Sequence, residues 1–183
     1  MLPEDTFQKY MMRHYILPKY LRRAGFKWFP KVKKIAGRQL LSEIDLIVID
    51  QNNQKVIGYE FKLLHDVKTQ SNNYKSIYSG FGQALLYFYF GVDQSYLCIG
   101  ISKKLPKYER IKEKTLQLVS VMDNLGKLMN PQCFGIYLYS ERDDFFRFLP
   151  PQGYFPVIRI KLSQQDKEHI LAEKISYNKD FLK

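Results

Sequence analysis

Apolar side chains recur at helical spacing at Phe7, Met11 and Tyr15, and Pro18 is placed to open a second short helical stretch ending before Gly25. This predicts a kinked N-terminal helix from residue 4. From Phe26 to Ile35, apolar Phe26, Trp28, Pro30 and Val32 alternate with Lys27, Phe29, Lys31 and Lys33. Ala36-Gly37-Arg38 then turns into a second run, Gln39 to Asp50, so the pattern predicts a hairpin. Gln51-Asn52-Asn53-Gln54 is a further polar turn, and Lys55 to Leu64 reads as a third strand. After a polar loop over residues 65–73, Tyr74 to Phe90 is apolar on most sides, which predicts a helix sandwiched in the interior and stopped at Gly91. Beyond it the pattern predicts a buried strand over 96–101, an amphipathic helix over 106–128, strands over 134–139 and 156–162, and a terminal helix over 164–175. Pro150-Pro151-Gln152-Gly153 reads as a turn within the domain.

This order describes an α/β (α+β) chain with a mixed central sheet and helices on both faces. With 183 residues, 45% hydrophobic and 15% aromatic, the composition fits one packed domain over 1–183 and excludes a disordered or fibrous chain. Neither a run of about 18 apolar residues nor a basic, apolar leader is evident, so the expectation is a soluble cytoplasmic protein that does not enter a membrane. Cys98 and Cys133 are too few for a four-thiolate metal site or a disulfide-stapled fold.

Charge adds a partner class. The formal net charge is +11, and it is concentrated: residues 1–40 carry ten Lys and Arg against Glu4 and Asp5, and residues 103–114 carry six against Glu109 and Glu113. A nearly neutral scaffold with two basic regions points to a polyanion, with nucleic acid as the leading partner. The plainer reading is that these side chains solvate two helices and a hairpin.

The polar residues inside the apolar strands narrow the chemistry. Period-two alternation puts Glu43 and Asp45 on one face of the second strand, with Ile44, Leu46 and Val48 opposite, and puts Glu60 and Lys62 on one face of the third. A carboxylate within Ile-Asp-Leu-Ile-Val-Ile is expensive unless compensated. Asp45, Glu60 and Lys62 side by side on neighbouring strands would suit a hard cation such as Mg2+ or Mn2+, which takes oxygen ligands and keeps several waters. The alternative for Glu60 and Lys62 is a cross-strand ion pair at a solvated face. Gln83 in an apolar helix needs a partner, which the backbone or the carboxylates of these strands would supply. His14, His65 and His169 lack metal-ligand spacing, and His65 has only a weak claim to a phosphate contact.

Ser42-Glu43-Ile44-Asp45-Leu46-Ile47, Glu60-Phe61-Lys62 and Gln83-Ala84-Leu85-Leu86-Tyr87 together resemble the PD-(D/E)XK nuclease superfamily over about residues 4–101. The Gln-x-x-x-Tyr element is similar to that of the RecB and lambda-exonuclease branch, and the small size also suits archaeal Holliday junction resolvases. The sequence departs from the family pattern at Ile44, where many members carry Pro, and it lacks the four-cysteine cluster of some RecB-like members. The resemblance implies a restriction-endonuclease-like αβββαβ core, with residues 102–183 completing the domain. It implies Mg2+ (or Mn2+) held by Asp45, Glu60 and the Phe61 backbone carbonyl, with Glu4, or Asp5 in its place, supporting a second ion or a water. Lys62 would then orient the nucleophile, with Gln83 and Tyr87 positioning the site.

The function expected from these readings is metal-dependent hydrolysis of DNA, of the kind used in recombination and repair. Lys31, Lys33, Lys34 and Arg38 of the hairpin, and Lys103, Lys104 and Lys107 of the later cluster, would track phosphates. The alternative is a non-catalytic basic nucleic-acid-binding protein on the same fold. Exonuclease, endonuclease and junction resolvase are all compatible with the sequence, as are a monomer and a homodimer.

Overall fold

Turn chemistry sets the register of the first three strands. A computed structural model describes residues 3–65, 70–129, 134–142, 145–149 and 161–182. Strands β1 (Phe26–Ile35) and β2 (Arg38–Asp50) are joined by Ala36 and Gly37, with φ of 49° and 81°. Two successive left-handed residues are what a tight hairpin turn requires, and Gly37 adopts that conformation without strain. At the next turn the Asp50 carboxylate accepts from Asn53 N (3.2 Å) and Asn53 Nδ2 (2.8 Å), which returns the chain into β3 (Lys55–Leu64).

The N-terminal helix is α1 (Pro3–Met11), continuing through a π-helical turn (Met12–Ile16) into α2 (Pro18–Leu21). The expected kink therefore has a specific cause, a π-turn followed by a proline. Helix α3 (Gln70–Leu86) begins four residues inside the expected polar loop and tightens into a 3-10 turn (Tyr87–Phe90) that Gly91 ends at φ 86°. It is not enclosed on all sides, since Tyr78, Leu86 and Tyr89 are exposed. Strand β4 (Gln94–Ile101), helix α4 (Tyr108–Met129) and strands β5 (Phe134–Ser140) and β6 (Phe145–Leu149) follow. Helix α5 (Lys161–Leu171) and the two-residue strand β7 (Ile175–Ser176) come last.

Two expectations are corrected in this last part. Lys161 and Leu162, read as strand, open α5, and Ile175, read as helix, pairs with Ile35 of β1. The remainder of the expected 156–162 strand, the 150–153 turn and Cys133 lie outside the described residues.

The strands form one mixed seven-stranded sheet in the order β6-β5-β4-β3-β2-β1-β7. Strands β1, β2 and β3 are antiparallel, whereas β4 and β5 lie parallel to β3 across the α3 and α4 connections. One face carries α1, whose Phe7 and Met11 pack with Leu46, Val48, Tyr59, Phe61 and Cys98. The opposite face carries α3, α4 and α5. There Ile77 and Ile111 pack with Leu97 and Ile99, and Tyr87 and Ile170 pack with Ile47 and Ile49. Among the described residues no helix is long and apolar enough to cross a membrane.

Candidate metal and phosphate site

The β2–β3 ladder runs from Asp50↔Lys55 to Leu46↔Tyr59 and no further. Past that pair the two strands part, and the next residues on each are Asp45 and Glu60. At the parting point the Asp45 carboxylate takes over the work of the ladder: its Oδ2 accepts the buried Phe61 N–H at 2.9 Å. The Asp45 N–H in turn reaches the Tyr87 hydroxyl at 3.4 Å. A strand opening that would leave buried backbone donors unsatisfied is thus closed by two side chains.

Alternation also breaks here. Leu46 and Val48 join the core beneath α1, but Ile44 packs with Ile47 and Ile49 on the other face, correcting the expectation that it shares a face with Leu46. On β1 the same switch occurs: Phe26 and Trp28 lie against the α1 side and Phe29 on the opposite one, but Val32, of the same parity as Phe26 and Trp28, also joins the opposite cluster. The residue at the switch is Lys31, with φ 53°. Lys31 and Asp45 fall opposite each other, between the Pro30↔Leu46 and Val32↔Ile44 pairs. Immediately beyond, the register shifts by three residues between Val32 and Lys34, so that β2 bulges around Ser42 and Glu43.

Through this distortion Lys31 leaves the surface. Its Nζ is 2.8 Å from Asp45 Oδ1, 3.4 Å from Glu43 Oε1 and 3.8 Å from Asp5 Oδ1. Burial lowers its pKa, but the Asp45 and Glu43 charges outweigh that and the net direction is upward, so the ammonium stays charged. Its sequence assignment to a phosphate-tracking surface is therefore corrected: Lys31 belongs to the carboxylate cluster.

Glu60 and Lys62 share the α3 face as expected, and their pairing is close, with Lys62 Nζ 2.7 Å from Glu60 Oε1. The pair lies along one strand and is not solvated, since the Glu60 side chain is 2% exposed. Gly80 of α3 makes room for it: a Cβ there would stand 2.5 Å from Lys62 Cγ. Lys62 Nζ also lies 3.8 Å from Glu4 Oε1, which brings the first turn of α1 to the same place. That Glu4 oxygen is buried with no hydrogen-bond partner, and burial raises the Glu4 pKa. Asp5, the alternative to Glu4, faces Lys31 instead.

Glu60 is the most perturbed carboxylate. Burial first, and the Asp45 charge second, push it up to about 8, against the opposing pull of Lys62 and Tyr87. The Tyr87 hydroxyl, kept protonated by burial, donates to Glu60 Oε2 and also to the Glu43 carbonyl (3.3 Å). Tyr87 thus ties three segments together, from the first residue of the 3-10 turn. Gln83, one turn earlier on α3, donates Nε2 to Ser42 Oγ at 2.8 Å on the β2 bulge, while its Oε1 is buried and unpartnered. Its partner is a hydroxyl, not the backbone or a carboxylate as expected.

Most of the remaining basic residues lie apart from this cluster. Lys33 pairs with Glu43 at 3.6 Å, and Lys34 is exposed. Arg38 is exposed, as expected, and also pairs with the buried Asp166 of α5. Lys103, Lys104 and Lys107 are exposed in the β4–α4 loop. His65 turns Nδ1 to the Leu63 carbonyl at 3.0 Å and is near enough for its charge to act on Glu4, and His14 lies tilted against Tyr10 with ring centroids 4.7 Å apart.

Among the described residues no group of three or more His, Cys, Asp and Glu is already arranged around a common centre. The donor chemistry nevertheless fits a hard divalent cation: two carboxylates from adjacent strands, one held above its usual pKa by burial and by the charge of the other, and a Glu4 oxygen without a hydrogen bond beside them. Lys31 was the residue missed. No protein-family model matches the sequence, and no curated protein matches it.

Proposed function

We propose that this chain is a metal-dependent DNA nuclease of the PD-(D/E)XK type, built on a restriction-endonuclease-like core. The observation that carries the proposal is the convergence of Asp45, Glu60 and Lys62 where β2 and β3 part, with Asp45 anchored on Phe61 N–H. The order α1, β1–β3, α3, β4 supports the same reading. Asp45, Glu60 and the Phe61 carbonyl would hold Mg2+ or Mn2+, with Glu4 at its margin. Bound there, the ion supplies neutralisation of the scissile phosphate and a more acidic attacking water.

The chain's own residues do the rest. Tyr87 fixes Glu60 through its hydroxyl, and Phe61 N–H fixes Asp45, so neither carboxylate needs to reorganise when a phosphate arrives. Lys62, 2.7 Å from Glu60 Oε1, would orient the nucleophile and a phosphate oxygen. Gln83 holds the β2 bulge through Ser42, and its amide oxygen is buried without a hydrogen-bond partner. Exposed lysines supply sequence-blind affinity for the phosphodiester backbone.

The test is DNA cleavage with Mg2+ or Mn2+, abolished by EDTA and by Asp45→Asn, Glu60→Gln and Lys62→Ala in folded protein. Cleavage that survives EDTA or Lys62→Ala overturns the proposal. One observation favours a second reading, a non-catalytic DNA-binding protein: Lys31 and Lys62 already neutralise Asp45 and Glu60. It predicts gel-shift binding with no product under any divalent ion.

A further inference from the structure

Beside the carboxylate cluster lies a second feature. The C-terminal ends of the parallel strands β3, β4 and β5 and the first turns of α1 enclose a cleft of ≈ 660 Å³. Pro3 and Thr6, which bracket Glu4, line it, and so does His65, which follows Lys62 on the chain. Glu4, Asp45, Glu60 and Lys62 do not line it, but His65, whose charge acts on Glu4, does, so the cleft is a neighbour of the site. Its inner wall is aromatic: Phe7, Tyr10 and Tyr139, with Tyr10 and Tyr139 centroids 5.5 Å apart and Phe7 stacked on Tyr139 at 6.4 Å. Tyr10 is 37% exposed, with the rest of its ring against His14, Tyr15 and Tyr139, whose hydroxyl donates to the Tyr10 hydroxyl at 3.4 Å. Lys103 and Lys104 stand at the rim. Among the described lining residues the carboxylate is Glu141, which accepts from the Lys103 backbone N–H (3.0 Å) and the Ser102 hydroxyl (3.2 Å).

Aromatic wall and cationic rim together match one chemical class, a planar base carrying an anionic phosphate. The volume is that of a pocket for a single small organic group, roughly 300–1,000 Å³. A duplex, whose major groove alone is about 12 Å wide, does not enter it. We propose that the cleft takes an unpaired nucleotide of the DNA strand being cut, so that single strands and frayed ends are the substrates the site engages fully. A paired base cannot present its face to Tyr10. The inference rests on the nuclease reading, since it is the adjoining carboxylate cluster that gives the bound strand something to undergo.

The test uses binding and cleavage separately. By fluorescence anisotropy in EDTA, an oligo(dT) strand should bind wild type more tightly than a blunt hairpin duplex of equal phosphate number. Tyr10→Ala should weaken oligo(dT) binding about 10-fold or more while changing duplex binding less than about twofold, and the pair Lys103→Ala/Lys104→Ala should weaken both probes, oligo(dT) the more. Tyr10→Phe should restore oligo(dT) binding, which excludes misfolding as the cause. Equal losses for both probes, or none, overturn the cleft assignment. Asp45→Asn should keep oligo(dT) affinity and lose Mg2+-dependent cleavage. If wild type cleaves nothing, the nuclease reading fails while the anisotropy result still decides what the cleft binds.

Discussion

The parting of β2 and β3 and the loop after β4 are both rich in lysine, yet the two regions use it in opposite ways. At the parting point Lys31 and Lys62 are 12% and 16% exposed, and each lies within 2.8 Å of a carboxylate. In the β4–α4 loop Lys103, Lys104 and Lys107 project into solvent. Buried charge is specific because each ion is costly without its partner, so every member of the cluster carries weight individually. Exposed charge is screened over about 10 Å at ordinary salt and acts through its sum. Net charge, the coarsest property of the sequence, is informative only about the second region.

The largest effects should therefore follow single substitutions at the parting point. Asp45→Asn, Glu60→Gln and Lys62→Ala should each lower cleavage about 10³-fold or more, the scale seen when a charge-stabilising group is lost. Single-turnover assays on folded protein, verified by circular dichroism, measure this. Next comes a substitution that touches no charge. Gly80→Ala would place a Cβ 2.5 Å from Lys62 Cγ and 3.0 Å from Leu97 Cδ1, displacing the lysine stem. Misplacement on the order of 1 Å costs about 10²-fold in a positioned site. A fall of roughly 10- to 100-fold, with DNA affinity retained, would show that lysine geometry matters as well as its presence. An unchanged rate would show that Lys62 tolerates movement.

How much of this was legible in the sequence differs by element. Strands β1, β2 and β3 were legible because polar turn residues separate them and apolar residues dominate the runs between. Asp45, Glu60 and Lys62 stood out because each interrupts an apolar run. Lys31 did not, since it lies among Lys27, Lys33 and Lys34, and only a left-handed backbone residue opposite a carboxylate turns it inward. The Ile44 switch was hidden for the same reason: a bulge shifts parity without changing composition. Strand β7 has two residues and exists only because the β1 edge is there to pair with it, a tertiary cause with no local pattern. Arg38 looked like its exposed neighbours, and its partner Asp166 is 128 residues away.

Arg38 sharpens the comparison further. Lys34→Ala and Lys107→Ala should reduce the salt dependence of duplex binding by roughly 0.9 in slope each, and together lower affinity about tenfold at low salt. Melting temperature and cleavage at saturating DNA should not move. Arg38→Ala should do the reverse, since it strands a buried Asp166: a loss of about 1–3 kcal/mol in urea unfolding, with the salt slope intact. If all three residues shift the salt slope alike, the division between Arg38, held by Asp166, and the exposed lysines fails.

The smallest effect is on stability, and it tests the electrostatic cause directly. The Glu60 carboxyl, ordinarily near 4.5, is raised to about 8 in the fold by burial and by the neighbouring Asp45 charge. The folded state thus holds its proton more tightly than the unfolded chain does. That stabilisation is fully present below about 4.5 and is lost as pH rises through about 8. Metal-free protein should melt several degrees lower at pH 9 than at pH 5, at roughly 2–4 °C per kcal/mol for a chain of this size. A divalent ion needs the deprotonated carboxylate, so its affinity, read by calorimetry, should climb about tenfold per pH unit toward pH 8 and then level. Added Mg2+ should accordingly restore melting temperature most at the alkaline end. Glu60→Gln removes the titrating group and should flatten both profiles. A metal-free melting profile that is already level in wild type would mean that Lys62 and Tyr87 compensate Glu60 fully, leaving it no electrostatic reason to recruit a cation.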